Sequence, residues 1–234
     1  MNRESMFGGR FQARWIAVIC SAVLALGSGI ALGAEDASQD ASQLGPQELV
    51  SKVAQDTLKD LDANRDEYRK NPKKVRELVD ENMLPYFDTA YAAQLVLAKH
   101  WRTATPEQRK RFIDAFYQSL LQNYGEALLE FTPDRLRILP YQGKPDAQVA
   151  TVRTEVRRDN GSRVPVNYSL RKTPQGWKAY DVQIEGVSYV KSFRTDFGAE
   201  IQQKGLESVI ARLESQVASG TVQKPTAAAQ PQTR

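Results

Sequence analysis

The spacing of apolar residues changes along this chain from three or four to two, and that change constrains its fold most. Before residue 136 apolar positions recur as they do on helices, whereas from Leu136 to Ile184 they alternate as they do on strands. After Ser188 the helical spacing returns. One block of helices, one block of strands and a final helix predict an α+β fold rather than repeated βαβ units.

Local start signals locate the helices of the first block. Pro46 and Pro72 are suited to the first turn of a helix, and Asp88 is suited to capping a third helix. The sequence Thr105-Pro106-Glu107-Gln108 is typical of a capping box and predicts a long helix that runs to about Phe131. One face of that helix is rich in aromatic residues, with apolar side chains at Phe112, Phe116, Leu120, Tyr124 and Leu128.

Four strands are predicted in the second block. Asn160-Gly161 and Pro174-Gln175-Gly176 separate the last three as hairpin turns do, so we expect these strands to be antiparallel neighbours. Their apolar positions predict one buried face of a twisted sheet, and their polar positions predict a face that meets solvent. The polar face includes Arg153, Glu155, Arg157, Arg163, Asn167, Ser169 and Arg171. The periodicity is compatible both with an apolar cavity between sheet and helices and with a filled core.

Residues 1–33 have the layout of a secretory signal peptide. Three arginines precede an apolar run over residues 15–34, and small residues near its end place cleavage beside Ala34. An uncleaved membrane anchor is the alternative, but glycines dilute the run and no basic cluster follows it. We therefore expect export to the periplasm. Residues 34–45 and 217–234 lack apolar periodicity and are predicted to be disordered, which leaves 46–216 as one folded domain.

Composition limits what can stabilise the exported chain and what it can bind. Cys20 is the only cysteine and lies in the signal, so the exported chain has no thiol and depends on a hydrophobic core. The net charge of +4 includes three arginines and Glu4 of the signal. Without them, 29 basic residues face 27 acidic residues, and a nucleic-acid partner is not indicated.

The sequence contains few patterns that indicate catalysis. His100 is the only histidine and no Gly-x-Ser-x-Gly turn accompanies it, so a surface or structural role is favoured over a histidine-dependent hydrolase. Asp181 and Glu185 lie four residues apart on a strand, roughly 13 Å, too far for paired glycosidase carboxylates. Metal-binding spacings and a phosphate-binding glycine loop are lacking. The sequence therefore predicts no enzyme activity, no metal and no cofactor.

Three neighbouring segments together resemble the signature of the MlaC family, the toluene-tolerance lipid carriers. They are Gly176-Trp177-Lys178-Ala179-Tyr180-Asp181-Val182, Ile184-Glu185-Gly186-Val187-Ser188-Tyr189-Val190 and Phe193-Arg194-Thr195-Asp196-Phe197. Earlier segments are similar to the helical part of that family: Pro85-Tyr86-Phe87-Asp88, the Trp101–Thr105 junction and residues 112–124. The resemblance covers about residues 46–216.

The resemblance implies a periplasmic carrier without enzyme activity. Its cargo would be a phospholipid, held by its acyl chains between a twisted antiparallel sheet and helices, with the head group near solvent. Implied partners are an outer-membrane lipoprotein complex and an inner-membrane ABC transporter with an MCE-domain subunit, which together maintain outer-membrane lipid asymmetry. The alternatives are a carrier of a hopanoid or another polycyclic lipid, and a periplasmic scaffold with a packed core.

The lipid-binding residues are predicted on the two apolar surfaces. The sheet contributes Val152, Val156, Val164, Val166, Tyr168, Val182 and Ile184, and the long helix contributes Phe116, Leu120 and Tyr124. Val187 and Tyr189 follow the last strand and are expected at the mouth. The arginines of the polar face, Arg153, Arg157, Arg163 and Arg171, are expected to form a solvated surface. The alternative is that they contact anionic head groups or an acidic partner.

Overall fold

The computed structural model describes residues 41–220, so the predicted signal peptide and most of both predicted disordered ends lie outside the described residues. A single 3₁₀ turn, Ala41–Gln43, precedes the first helix. Seven helices occur in the described range, and the first five precede the sheet. These five are α1 (Pro46–Lys70), α2 (Pro72–Asn82), α3 (Thr89–Leu97), α4 (Lys99–Thr103) and α5 (Pro106–Tyr124).

The structure confirms the predicted helix starts. The sequence could predict them because capping is a local interaction. The Asp88 carboxylate accepts a hydrogen bond from the Tyr91 backbone N–H at 3.0 Å, at the N-terminus of α3. At α5, the Thr105 hydroxyl accepts from the Gln108 N–H and the Gln108 side chain accepts from the Thr105 N–H, both at 3.1 Å. Each contact satisfies a backbone donor that the helix itself leaves unpaired.

The predicted end of α5 at Phe131 is wrong. The helix ends at Tyr124, and Gly125–Glu130 continues as a 3₁₀ helix. Glycine lowers helix propensity at this point, and the tighter winding buries Leu129 in a cluster with α1 and α2. The Arg65 guanidinium donates a hydrogen bond to the Phe131 carbonyl at 2.9 Å, which helps to satisfy the acceptors that the helix end exposes.

A five-stranded antiparallel sheet follows, with its strands in sequence order. The strands are β1 (Leu136–Ile138), β2 (Val149–Arg157), β3 (Arg163–Thr173), β4 (Gly176–Ile184) and β5 (Val187–Ser188). The α+β class and the antiparallel order of β2, β3 and β4 are therefore confirmed, and the predicted count of four strands is wrong. Two-residue β5 is too short to show periodicity, and a tight turn at Glu185-Gly186 pairs it with β4.

The final helical segment is two helices rather than one, α6 (Tyr189–Lys204) and α7 (Leu206–Ser219). Gly205 between them has φ +79°, a left-handed conformation that ends α6. The Arg212 guanidinium of α7 donates two hydrogen bonds to the Glu200 carboxylate of α6, at 2.8 and 2.6 Å. This bidentate pair holds the two helices against each other.

The predicted solvent face of the sheet is partly covered, so that prediction is wrong at one end. Ser169 and Asp181, paired across β3 and β4, are buried, and α3 and α6 pack against this end. Arg171 is not a free surface charge, because its Nε donates to the Asp88 carboxylate at 2.7 Å and its guanidinium lies 4.3 Å from the Tyr91 ring centroid. Arg153, Arg157 and Arg163 do lie on the exposed part of this face.

Buried apolar residues form three clusters. The first joins α3, α5, α6 and α7, the second joins the start of α1 to the sheet, and the third joins α1, α2 and the 3₁₀ helix after α5. The buried apolar residues of the sheet therefore cluster with the start of α1, while α3 and α6 contact β4, and the aromatic face of α5 packs against α6 and α7.

Candidate functional site

The predicted sheet residues share one face. The register pairs Val152 with Tyr168 and Tyr168 with Val182, and it pairs Val166 with Ile184 and Val156 with Val164. Directly paired residues point to the same side of an antiparallel sheet. Val187 pairs with Ile184 and extends this surface onto β5. We call this surface the inner face; it consists of Val152, Val156, Val164, Val166, Tyr168, Val182, Ile184 and Val187, together with Ala150, Thr154 and Leu170.

Burial differs across the inner face: most of its residues on β2 and β3 are buried, whereas those at its β4–β5 end are only partly buried or exposed. At the end near Trp177, Val152 and Leu170 are 0 % exposed beneath Leu49 and Val50 of α1. Val164 and Val166 are buried further along. Val156, Tyr168, Val182 and Ile184 are only partly buried, and Val187 is 43 % exposed. An apolar surface with incomplete cover can take additional apolar groups, so this end of the face is the candidate site.

The inner face carries two hydroxyl groups, of Thr154 and Tyr168, that differ in their hydrogen bonding. The Thr154 hydroxyl donates to the Val166 carbonyl at 2.7 Å and is therefore satisfied within the sheet. Burial raises the pKa of the Tyr168 phenol, which stays neutral. No residue in the described range hydrogen-bonds to the Tyr168 hydroxyl, and its ring packs against the cluster shared with α1. An amphipathic ring of this kind tolerates either apolar chains or a polar group beside it.

The predicted α5 residues do not all lie beside the inner face. Phe116 is buried among aromatic rings of the helical cluster, 5.1 Å from the Phe193 centroid and 5.6 Å from the Phe197 centroid. Leu120 packs against the same cluster. Phe116 and Leu120 thus belong to the contact between α5 and α6, and their predicted contact with a ligand stays a prediction.

Tyr124 and Tyr189 form an aromatic pair at the edge of the site. Their ring centroids are 5.9 Å apart in an edge-to-face arrangement, which joins the end of α5 to the start of α6. Tyr189 directly follows β5, so the pair lies next to the exposed end of the inner face. Burial raises the pKa of Tyr124 to about 12 and also raises that of Tyr189, so both phenols are neutral at physiological pH.

Asp181 positions this edge and was not recognised as important from the sequence. It is 6 % exposed, and its carboxylate accepts hydrogen bonds from the Ser188 hydroxyl at 2.6 Å and the Val190 N–H at 3.0 Å. Ser188 in turn caps α6 through the Lys191 N–H at 3.1 Å. A carboxylate at a helix N-terminus is favoured by the helix dipole. Asp181 therefore fixes the start of α6, and with it Tyr189, to β4.

A second junction holds the helical part to the sheet. The Asp88 N–H donates to the Ala179 carbonyl at 2.7 Å, and Asp88 also accepts from Arg171. Tyr91 packs edge-to-face against Tyr180 at 5.1 Å, beneath the Arg171 guanidinium. These contacts place the segment Pro85-Tyr86-Phe87-Asp88 against β4.

Two surface clefts lie elsewhere in the molecule. One, of 280 Å³, lies between α1 and α2 and is lined by acidic residues that include Asp60, Glu67 and Glu77. The other, of 310 Å³, is lined by residues that include Ile113 and Tyr117. Neither lies on the inner face, so the predicted cavity between sheet and helices stays a prediction.

His100 is half-buried on α4. Within the described range, no hydrogen bond joins its ring to a carboxylate or a serine hydroxyl, so no catalytic pair is formed there. Residues 41–220 also show no group of three or more histidine, cysteine or carboxylate side chains placed to hold a metal ion. None of the helices within that range is both long and apolar enough to cross a membrane.

The family model for "MlaC protein" matches residues 51–215. The toluene tolerance protein Ttg2D of Pseudomonas putida is 32 % identical over 161 residues, which cover 68 % of this chain and 74 % of that protein. The intermembrane phospholipid transport system binding protein MlaC of Haemophilus influenzae is 23 % identical over 176 residues, 74 % of this chain and 82 % of that protein.

A solved structure is also similar. It is the phospholipid-binding protein from Ralstonia solanacearum in complex with a phospholipid, at 28 % sequence identity and a TM-score of 0.70. The similarity covers 76 % of this chain and 99 % of the other. The range of the family model, residues 51–215, contains the whole sheet and both junctions described above.

Proposed function

The chain belongs to the MlaC family, and on that basis we propose that it is a periplasmic carrier that binds a phospholipid by its acyl chains. The chains would lie against the incompletely covered end of the inner face. The proposal is supported by the family membership and by the name of the Ralstonia solanacearum protein, which is crystallised with a phospholipid.

The observation that carries the proposal is the incomplete cover of the inner face at its β4–β5 end. Val152 at one end is fully buried, whereas Val187 at the other is 43 % exposed. Burying a methylene group contributes about 0.8 kcal/mol, so even part of an acyl chain placed here stabilises the complex by several such increments. The bound chain would also complete the cover of Val182 and Ile184.

Loading requires a rearrangement in this proposal. Two acyl chains need a volume at or above the top of the roughly 300 to 1,000 Å³ range of ligand pockets, and both clefts described above lie away from the inner face. Tyr124 and the end of α5 would move away from Tyr189, while Asp181 keeps the start of α6 attached to the sheet and the Asp88–Arg171 junction keeps α3 attached to it. Release into a partner is easier when most of the binding energy is non-directional.

The partners of the carrier belong to the same proposal. The carrier would take phospholipid between an outer-membrane lipoprotein complex and an inner-membrane ABC transporter with an MCE-domain subunit, and so maintain outer-membrane lipid asymmetry. The name of the Haemophilus influenzae relative, a binding protein of an intermembrane phospholipid transport system, supports this assignment. The predicted lack of enzyme activity fits a protein whose task is transfer alone.

Native mass spectrometry tests the cargo. Residues 34–234 would be purified from a bacterial periplasm without detergent, and the bound molecule would be extracted and identified. We expect one diacyl phospholipid for each chain. If the bound molecule is a hopanoid or another polycyclic lipid, that lipid is the cargo instead. A protein that carries no lipid and gains none from phospholipid vesicles would support the scaffold.

A further inference from the structure

One arginine lies where the inner face ends. Arg158 follows Val156 by two residues, so it continues the row of β2 side chains that point toward the inner face. Its N–H donates to the Ser162 carbonyl at 2.8 Å, which keeps it at the base of the β2–β3 turn. An acyl chain that lies along this row would reach Arg158 where the apolar surface meets solvent.

The Arg158 side chain is held loosely. Its guanidinium contacts the Glu185 carboxylate at 3.4 Å, across the first residues of β3, and the two side chains are 29 % and 34 % exposed. Nearby arginines are paired more tightly: Arg157 lies 2.6 Å from Asp134, and Arg163 lies 3.0 Å from Glu155. In the described range Arg158 has only the long contact with Glu185, so its donors are not fully used.

Glu185 is held in an unfavourable backbone conformation. Its φ is +52°, in the left-handed region that favours glycine or asparagine, and Gly186 follows at +83°. The Glu185 N–H donates to the Pro165 carbonyl at 3.0 Å, which fixes the turn to β3. A non-glycine residue in such a conformation points to a role for its side chain. The side chain supplies a carboxylate next to Arg158 and Val187.

We propose that Arg158 binds the phosphodiester group of the lipid and that Glu185 is the counter-ion which this phosphate displaces. This inference rests on the proposed function. A guanidinium presents paired N–H donors that match two phosphate oxygens, and a bidentate contact of this type is stronger than one long contact with a carboxylate. The phosphodiester is common to phospholipids, so Arg158 selects lipids with a phosphate and does not distinguish among their head groups.

Calorimetric titration of delipidated protein tests the proposal with two probes. The probes are a short-chain phosphatidylglycerol and the diacylglycerol with the same acyl chains. We expect the wild-type protein to bind the phospholipid about tenfold more tightly, the size expected for one hydrogen bond to a charged group. In Arg158→Gln this preference should disappear while the diacylglycerol affinity stays unchanged. Arg158→Lys should retain part of the preference.

Two further variants separate the proposed site from general charge effects. Glu185→Gln removes the competing carboxylate and should tighten binding of the phospholipid alone. Arg153→Gln removes an exposed arginine from the face of β2 opposite the inner face and should leave both affinities unchanged. Thermal unfolding of each variant checks that the fold is kept.

The outcomes distinguish this inference from the proposed function. If the wild-type protein binds both lipids equally, or Arg158→Gln keeps the preference, the assignment of Arg158 is wrong while the carrier function stands. If neither lipid binds, both proposals fail. Glycerol 3-phosphate alone should not bind at millimolar concentration, and Arg158-dependent binding of it would instead indicate a site for free phosphate.

Discussion

Single polar residues hold the edge of the inner face in place. Asp181 is the clearest case, because its buried carboxylate joins β4 to the N-terminus of α6 through Ser188 and Val190. The sequence placed Asp181 in a segment that resembles the MlaC family and in an unconvincing carboxylate pair, but it assigned no role to the side chain. Its importance depends on a contact nine residues along the chain, which no local pattern specifies.

Asp181→Asn should therefore destabilise the protein. The amide keeps the shape of the side chain but loses the charge and turns a donor toward the Ser188 hydroxyl or the Val190 N–H. Loss of hydrogen bonds to a buried charged acceptor costs about 1.5 to 3 kcal/mol. The free energy of unfolding in urea, followed by circular dichroism, measures the effect. Asp66→Asn, at an exposed site on α1, is the matched control and should change stability by less than about 0.5 kcal/mol. Equal losses in the two variants would contradict the role of Asp181.

Individual helices show which element boundaries a sequence specifies. The starts of α1, α2, α3 and α5 were predictable because proline and capping side chains act within one turn. The end of α5 was not, because it depends on Arg65 and on burial of Leu129 against distant helices. The break at Gly205 was missed since the apolar spacing continues across it, and only the left-handed backbone there separates α6 from α7.

The contact between α6 and α7 should depend on pH. The Arg212 guanidinium holds the pKa of the Glu200 carboxyl below its ordinary value, with Lys204 adding to the effect. A carboxyl whose pKa is lowered on folding stabilises the native state at pH values above its unfolded pKa, and this contribution is lost as the pH falls through the folded pKa. Glu200→Gln should cost about 1 kcal/mol at pH 7.

Urea unfolding of both proteins between pH 7 and pH 3 measures this dependence. The difference between wild type and Glu200→Gln should be constant at neutral pH and shrink below pH 4.5, the ordinary value for a glutamate. A difference that persists unchanged at the acid end would show that the lost contribution is packing rather than ionisation.

At the scale of the whole molecule, the sequence predicted which residues form apolar surfaces but not which elements pack against those surfaces. Period-two spacing identified the inner face correctly because alternation of side chains is a property of the strand itself. Which helix covers that face was not predictable. The aromatic face of α5 was expected opposite the sheet, yet Phe116 packs against Phe193 and Phe197, and α1 provides the main cover near Val152. Several helices present apolar faces of similar character, so tertiary packing decides among them.

The central claim is that acyl chains lie on the inner face, and lipid occupancy in two tryptophan variants tests it most directly. Val182→Trp fills the partly covered part of the face, whereas Val149→Trp adds the same side chain at a β2 position that is 63 % exposed and points away from it. Both proteins would be loaded from phospholipid vesicles and examined by native mass spectrometry. We expect Val182→Trp to lose most of the bound lipid, because an overpacking cost of about 1 to 3 kcal/mol lowers the lipid affinity roughly 5- to 150-fold, while Val149→Trp stays loaded. Full occupancy in a folded Val182→Trp protein would contradict the account.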